Sequence, residues 1–394
     1  MSVTVKQAMG LEVMATARIA AGRAGLDRVI RRVSFIDAPI NPEVIEEKNI
    51  LLPGDFFISS FFVVKDNPEQ MLEIMRILLA SNASGLCIIS KLLIELPSKI
   101  IDFANEQDFP IIFINQDAPY GDIIRDVFVL ILHDKEETLI ELTLNGLMEF
   151  SYDEESVKKA VLSINNNFSK YILAIYCRYS SIESAKLIFL KDTINNVKEW
   201  ACLKFRGNVL IILTFNEPDE DNISLKIKYV TDQLKMIGAK FVAGIGNLHT
   251  KLGQANKAII EALVSSESKS IRDQDVVYYR NLGSYKFLVP LRDRPELKEF
   301  HDEIIGPIVE YDTKYKQNLL DTAVCLIACD GDFSRTAKKM FLHTNSIRYR
   351  INKIMDILNM RNKNLPFYEQ LSIAIKIHRI LPETESEPPS AVQE

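Results

Sequence analysis

The sequence is poor in the residues that most often carry chemistry. Its 394 residues hold five histidines, five cysteines and one tryptophan. No two cysteines make a C-x-x-C pair, which argues against a zinc site and against a disulfide framework. Cys87, Cys177, Cys202, Cys325 and Cys329 lie among apolar neighbours and read as small core residues. Nothing approaches the ~18 consecutive apolar residues of a membrane helix. The densest short run, Val127–Leu132, is closed by His133 and Asp134, and Met1–Gly10 lacks the basic-then-apolar pattern of a signal peptide. The cytoplasm is the expected compartment, with no membrane partner. No G-x-x-x-x-G-K-[ST], H-E-x-x-H or G-x-S-x-G occurs. Gly244-Ile245-Gly246 has the start of a dinucleotide fingerprint, but His249 stands where a third small residue belongs, so it reads as a turn. His301-Asp302-Glu303 puts ligand types side by side, yet adjacent helical residues point ~100° apart and cannot readily share a metal. It reads as a solvated helix start. No catalytic residue, metal or cofactor is expected.

What is present is a foldable chain with an uneven charge. Hydrophobic residues make up 47% and charged residues 25%, the balance of a globular protein. At ~100 to 200 residues per domain, the length calls for two or three domains. The net charge is −6, yet Gly331–Lys363 holds eight basic residues against Asp332 and Asp356, a local +6 that leaves −12 elsewhere. Charge of one sign gathered in one place points to an anionic partner there.

Three blocks follow from the apolar pattern. In the first, the short runs Val33–Ile36, Phe56–Ile58, Gly85–Ile89 and Ile111–Ile114 alternate with helical stretches Pro68–Ala80 and Pro97–Glu106, an α/β arrangement with a parallel or mixed sheet. A long helix then runs from Asp122 to about Phe150, either packing on a symmetry mate or lying on the surface. The second block has strands Tyr171–Arg178, Trp200–Phe205, Val209–Phe215 and Lys240–Ile245, with helices Ser224–Ile237 and His249–Val264. Gly207-Asn208 reads as the turn of a hairpin. This is an α+β pattern. The third block, Glu310–Leu381, is helical, and the Pro, Glu and Ser tail 382–394 has too few apolar residues to pack. The expected division is a sensing domain over 1–121, a linking helix over 122–150, an α+β domain over 151–290, a helical domain over 300–381 and a disordered tail over 382–394.

The third block has the most specific pattern. Leu319–Cys329 reads as an amphipathic helix ended by Asp330-Gly331-Asp332. Ser334 can cap a helix over Arg335–Phe341, and after the turn Leu342-His343-Thr344, Thr344 can cap another over Asn345–Leu358. Three helices with a short turn between the second and third make a helix-turn-helix. Ile347, Ile351, Ile354 and Leu358 form its buried stripe, which puts Asn345, Arg348, Tyr349 and Asn352 on the opposite face. That face offers hydrogen bonds, stacking and positive charge, which base edges and phosphates require. Arg350 lies about 60° from the stripe, placed to pair with the domain body or with a phosphate. His343 either reaches DNA or packs in the turn.

The run Asp332–Ile354 resembles the DNA-binding motif of the PucR family of bacterial transcription regulators, the purine-catabolism and sugar-diacid type. The resemblance continues into Pro366–Ile380, with Leu371, Ala374 and Ile375. In the first block, Gly22–Asp27, Leu52-Pro53-Gly54-Asp55, Gly85–Ile88, Leu96-Pro97 and Phe109–Ile112 are similar to that family's sensor domain. It implies a ligand-responsive regulator, dimeric or larger, acting on double-stranded DNA as an activator or repressor. The DNA-binding set implied is Ser334, Arg335, His343, Thr344, Asn345, Ser346, Arg348, Tyr349, Arg350, Asn352 and Lys353. The second block is similar to a degenerate GGDEF-type cyclase domain. Its hairpin Arg206–Leu210 stands at the signature, but without the carboxylates that hold divalent ions. The competing class is a nucleotide-binding or cyclase-like signalling enzyme with a regulatory tail. An effector, such as a purine-catabolism intermediate, an amino acid or a sugar acid, is expected near the strand ends of the sensor at Asp55, Ser59 and Ser60.

Overall fold

The protein is described by a computed structural model covering residues 2–37, 51–89, 93, 95–114, 119–149, 153–181, 183–238, 240–268, 275–361 and 363–381. The tail 382–394, expected to be disordered, lies outside these residues. The chain divides into two compact units, Met1–Leu142 and Thr143–Glu394.

The first unit is built on a five-stranded sheet of order β1-β5-β4-β3-β2: β1 (Arg18–Ala21), β2 (Arg32–Phe35), β3 (Asp55–Ser59), β4 (Gly85–Ile89) and β5 (Ile111–Ile114). β2 to β5 are mutually parallel, and β1 runs antiparallel to β5 at the edge. Every residue of β3, β4 and β5 is buried, as expected for strands covered on both faces. Alternation decides which core each residue enters. Phe57, Leu86, Ile88, Ile111 and Phe113 pack with Met71 and Met75 of α2 (Pro68–Ala80) and Ile100 of α3 (Ser98–Glu106). Phe56, Ile58, Cys87, Ile112 and Ile114 pack with Val5 of α1 (Val5–Ala8) and with Ile123, Val127 and Ile131 of α4 (Tyr120–Glu149). β1 has no counterpart in the apolar pattern, because Arg18-Ile19-Ala20-Ala21 is too short and too plain to read as a strand.

The second unit holds a second five-stranded sheet, of order β10-β9-β6-β8-β7. Its strands are β6 (Tyr171–Tyr179), β7 (Trp200–Phe205), β8 (Asn208–Phe215), β9 (Phe241–Ile245) and β10 (Val276–Tyr278), all paired antiparallel except β9 with β10. One face packs Ile175, Ile211 and Leu213 against α6 (Ser184–Asn195) and α7 (Glu220–Met236) through Leu190, Ile194, Val230 and Leu234. The helix α5 (Glu154–Ile164), not delimited in the sequence pattern, packs on α8 (Ala255–Ser266), which lies on β6 and β9.

Two expectations for this unit need correction. Gly244 and Ile245 are strand residues and not a turn. A Cβ on Gly244 would stand 2.1 Å from the Ala262 carbonyl oxygen, so the glycine lets α8 close on β9. The hairpin turn is Arg206-Gly207 and not Gly207-Asn208: both have positive φ, 48° and 73°, as a two-residue primed turn requires. Asn208 already pairs with Phe205.

Helices α9 (Tyr285–Leu288), α10 (Pro295–Tyr315), α11 (Leu319–Ala328), α12 (Phe333–Met340), α13 (Thr344–Ile357) and α14 (Asn364–His378) complete this unit. Ile304, Ile305 and Ile308 of α10 join Leu319, Leu326, Ala337, Ile347, Ile351, Phe367 and Leu371 in one core. His301 is not a solvated helix start: its ring stacks on His378 at 5.2 Å. Its Nε2 lies 3.0 Å from His378 Nδ1 and its Nδ1 2.8 Å from Asp302 Oδ1. The cysteines are free and buried except the half-buried Cys325. Burial pushes the Cys87, Cys177 and Cys202 thiols up to about 12, so they remain uncharged and unreactive near neutral pH.

Candidate nucleic-acid interface

The geometry of the C-terminal helices follows from local capping. Asp330 and Gly331, at φ 57° and 79°, turn the chain out of α11. Asp332 then caps α12, its Oδ1 accepting from the backbone N–H of Ser334 at 2.8 Å and of Arg335 at 3.0 Å. Those hydrogen bonds, first that from Arg335, hold the carboxyl below its ordinary value. Ser334 is therefore an exposed first-turn residue and not the cap, because an aspartate two positions earlier satisfies the same donors. The cap of α13 likewise moves by one residue. His343 Nδ1 accepts from the Asn345 N–H at 3.2 Å, and Thr344 is the first helical residue.

Ile347, Ile351 and Ile354 are buried, joined by Met355, while Leu358 is the half-buried C-cap. Asn345, Arg348, Tyr349 and Asn352 are all exposed, on the face opposite that stripe. His343 and Arg335 are exposed, and Thr344 and Ser346 half-buried. Two of the expected DNA contacts turn elsewhere. Arg350 Nη1 donates to Thr322 Oγ1 of α11 at 3.0 Å, and Lys353 Nζ stands 5.0 Å over the Tyr311 ring of α10. Both serve the packing of the helical region, as the position of Arg350 near the stripe suggests. Phe341, expected to end the second helix, lies one residue past it. It occupies the turn with φ 55° and is 95% exposed, and no pattern of neighbours marks a turn phenylalanine as exposed.

The three sensor residues do not form one site. Asp55 opens β3 and is fully buried, gripped by Arg32 through two 2.6 Å bonds and by the Leu52 N–H at 2.8 Å. It is a structural latch at the strand's amino end. Ser59 and Ser60 lie at the other end, where both hydroxyls meet Asp37 Oδ1 at 3.1 and 2.9 Å and the Tyr120 hydroxyl donates to Asp37 Oδ2 at 2.8 Å. Burial opposes the charged form of Asp37, but hydrogen bonds from Ser60, Tyr120 and Ser59 outweigh it and lower its pKa. Sequence spacing could not find this cluster, since Asp37 and Tyr120 are 83 residues apart.

Comparison with known proteins agrees with the two ends of the chain. Residues 7–131 match the purine catabolism regulatory protein-like family, and residues 319–377 match the PucR C-terminal helix-turn-helix domain. Over these two stretches the chain is similar to PucR-type regulators. Three relatives come from Bacillus subtilis (strain 168). The DNA-binding transcriptional activator AdeR is 21% identical over 55% of this chain and 54% of its own length. The purine catabolism regulatory protein is 28% identical over 33% of this chain and 24% of its own. The proline-responsive transcriptional activator PutR is 20% identical over 58% of each. The alignments thus span between about a quarter and three fifths of these relatives' own lengths.

Proposed function

We propose that this chain is a ligand-responsive transcription activator that binds double-stranded DNA through α13, with the expected contact set reduced to its exposed members. The carrying observation is the face Asn345, Arg348, Tyr349 and Asn352, exposed on a capped third helix whose other face buries Ile347, Ile351 and Ile354. Side chains of these kinds hydrogen-bond base edges and phosphates. The effector is a small metabolite bound at the carboxyl edge of the first sheet, near Ser59, Ser60, Asp37 and Tyr120. Such edges are where open α/β sheets hold ligands, and one relative is named for its response to proline. Tyr120 begins α4, so a ligand that prefers one arrangement of this cluster biases that helix.

The α+β region 153–278 is a degenerate cyclase-like domain without catalytic activity, because residues 200–215 contain no Asp or Glu to hold a divalent ion. The chain works in the cytoplasm as a homodimer or larger assembly. Phe128, Leu132, Leu139 and Leu142, 42% to 66% exposed at helical spacing on α4, support self-association. The test is a titration of promoter duplexes from upstream of its own gene against scrambled duplexes of equal length. Tight, salt-dependent binding with promoter preference is expected; equal affinity for both sets would remove specific recognition from the account.

A further inference from the structure

Beside the exposed face of α13 opens a groove of about 440 Å³. Phe333, Arg348 and Asn352 line one part of it, and Arg361, Asn364 and Tyr368 another. An adjoining groove of about 340 Å³ shares Arg361 and reaches Lys363. The Arg348 guanidinium carbon stands 5.1 Å over the Phe333 ring, so its charge is held beside the groove. Arg361 is fixed differently. Asp356 engages its Nε at 2.7 Å and its Nη2 at 2.8 Å, leaving Nη1 without a partner among the described residues. The carboxylate that lines the second groove is thereby occupied. Burial pushes the Tyr368 phenol above its ordinary value, so it stays a protonated donor. The two grooves thus offer three cations, three amides and a phenol, against one carboxylate already paired.

We propose that these grooves seat the phosphodiester backbone of DNA, with Arg348, Arg361, Lys363, Asn364 and Tyr368 as phosphate contacts beside the reading helix. This rests on the reading of α13 as the DNA-facing helix and refines it. A concavity between helices matches the raised sugar-phosphate ridge, whereas base edges lie recessed and need a projecting side chain. Guanidinium, ammonium, amide and phenol are the groups that contact phosphate, and such contacts fix the protein's position without reading sequence. Arg348 therefore positions, and Asn345 and Tyr349, toward the start of α13, are left to discriminate bases.

The experiment is an anisotropy titration of the full chain on a promoter duplex and a scrambled duplex over about 50 to 200 mM salt. Lys363→Ala and Arg361→Ala each lower the magnitude of the log-log salt slope by about 0.9 per DNA-binding head and weaken both duplexes by the same factor. Tyr368→Phe keeps the ring beside Phe367 and weakens both duplexes alike with the slope unchanged. Lys363 is exposed, so Lys363→Ala leaves the fold intact, which a melting curve verifies. Wild-type slopes in both cation variants, with Asn345→Ala still weakening promoter binding, overturn the phosphate seat and leave the reading helix standing. If wild type binds neither duplex, the DNA reading itself falls and takes the seat with it.

Discussion

The tip of the β7-β8 hairpin and the start of α13 are both exposed positions where a fold presents residues to a partner, and they carry opposite content. At the hairpin, Arg206 and Gly207 make a tight turn, a Cβ on Gly207 would meet nothing within 4 Å, and no carboxylate is near in sequence. At α13, four consecutive surface positions of the helix carry amides, a guanidinium and a phenol above a fully buried isoleucine stripe. The first region offers no carboxylate that could hold a metal ion; the second sets amide, guanidinium and phenol groups on a rigid support.

The largest effect that sharpens this contrast is expected in the stripe itself. Ile351, 1% exposed, is central to the helical core. Ile351→Ala should cost about 2 to 5 kcal/mol and abolish DNA binding. Gly207→Ala, at φ 73°, should cost only about 1 to 2 kcal/mol for the left-handed backbone and leave DNA affinity unchanged. Chemical denaturation and DNA titration of both variants decide; loss of DNA binding in Gly207→Ala with the fold intact would break the comparison.

A smaller effect separates packing from recognition within α13. Arg350→Ala removes the bond to the buried Thr322 hydroxyl and should lower stability by about 1 to 3 kcal/mol without altering preference among sequences. Altered base preference at unchanged melting temperature would show that Arg350 faces DNA.

The smallest expected effect is a pH dependence at the His301–His378 stack. Burial first, then His301 and Arg379, lower the His378 pKa below its ordinary 6.5. The unfolded chain then binds more protons than the folded one below that value, so stability falls as pH drops through about 6.5 and levels off below the folded pKa. His378→Asn should flatten the melting temperature between about pH 7 and 5. A wild-type profile already flat there would contradict the assignment.

Much of this was legible because local patterns decide it. α2 and β4 follow from the apolar runs Pro68–Ala80 and Gly85–Ile89 with the same ends, and the buried stripe of α13 follows from isoleucines at helical spacing. Helix starts shifted by a residue or two, since Ser334 and Thr344 compete with Asp332 and His343 for the same backbone donors and only geometry settles such contests. The Asp37–Tyr120 cluster and the groove beside Arg348 and Tyr368 were not legible, because each joins residues from separate elements. Asp55 misled for the opposite reason: a polar residue at a strand end resembles a ligand contact until its arginine partner is seen.

The most direct test of the central claim, that α13 reads DNA with its exposed face, is the affinity of Asn345→Ala for promoter and scrambled duplexes at one fixed salt concentration. Asn345 is exposed at the helix start and carries no core contact. The account predicts a loss of about 1 to 3 kcal/mol on the promoter duplex, little change on the scrambled one and an unchanged melting curve. Equal affinity of the variant and the wild type for the promoter would contradict it.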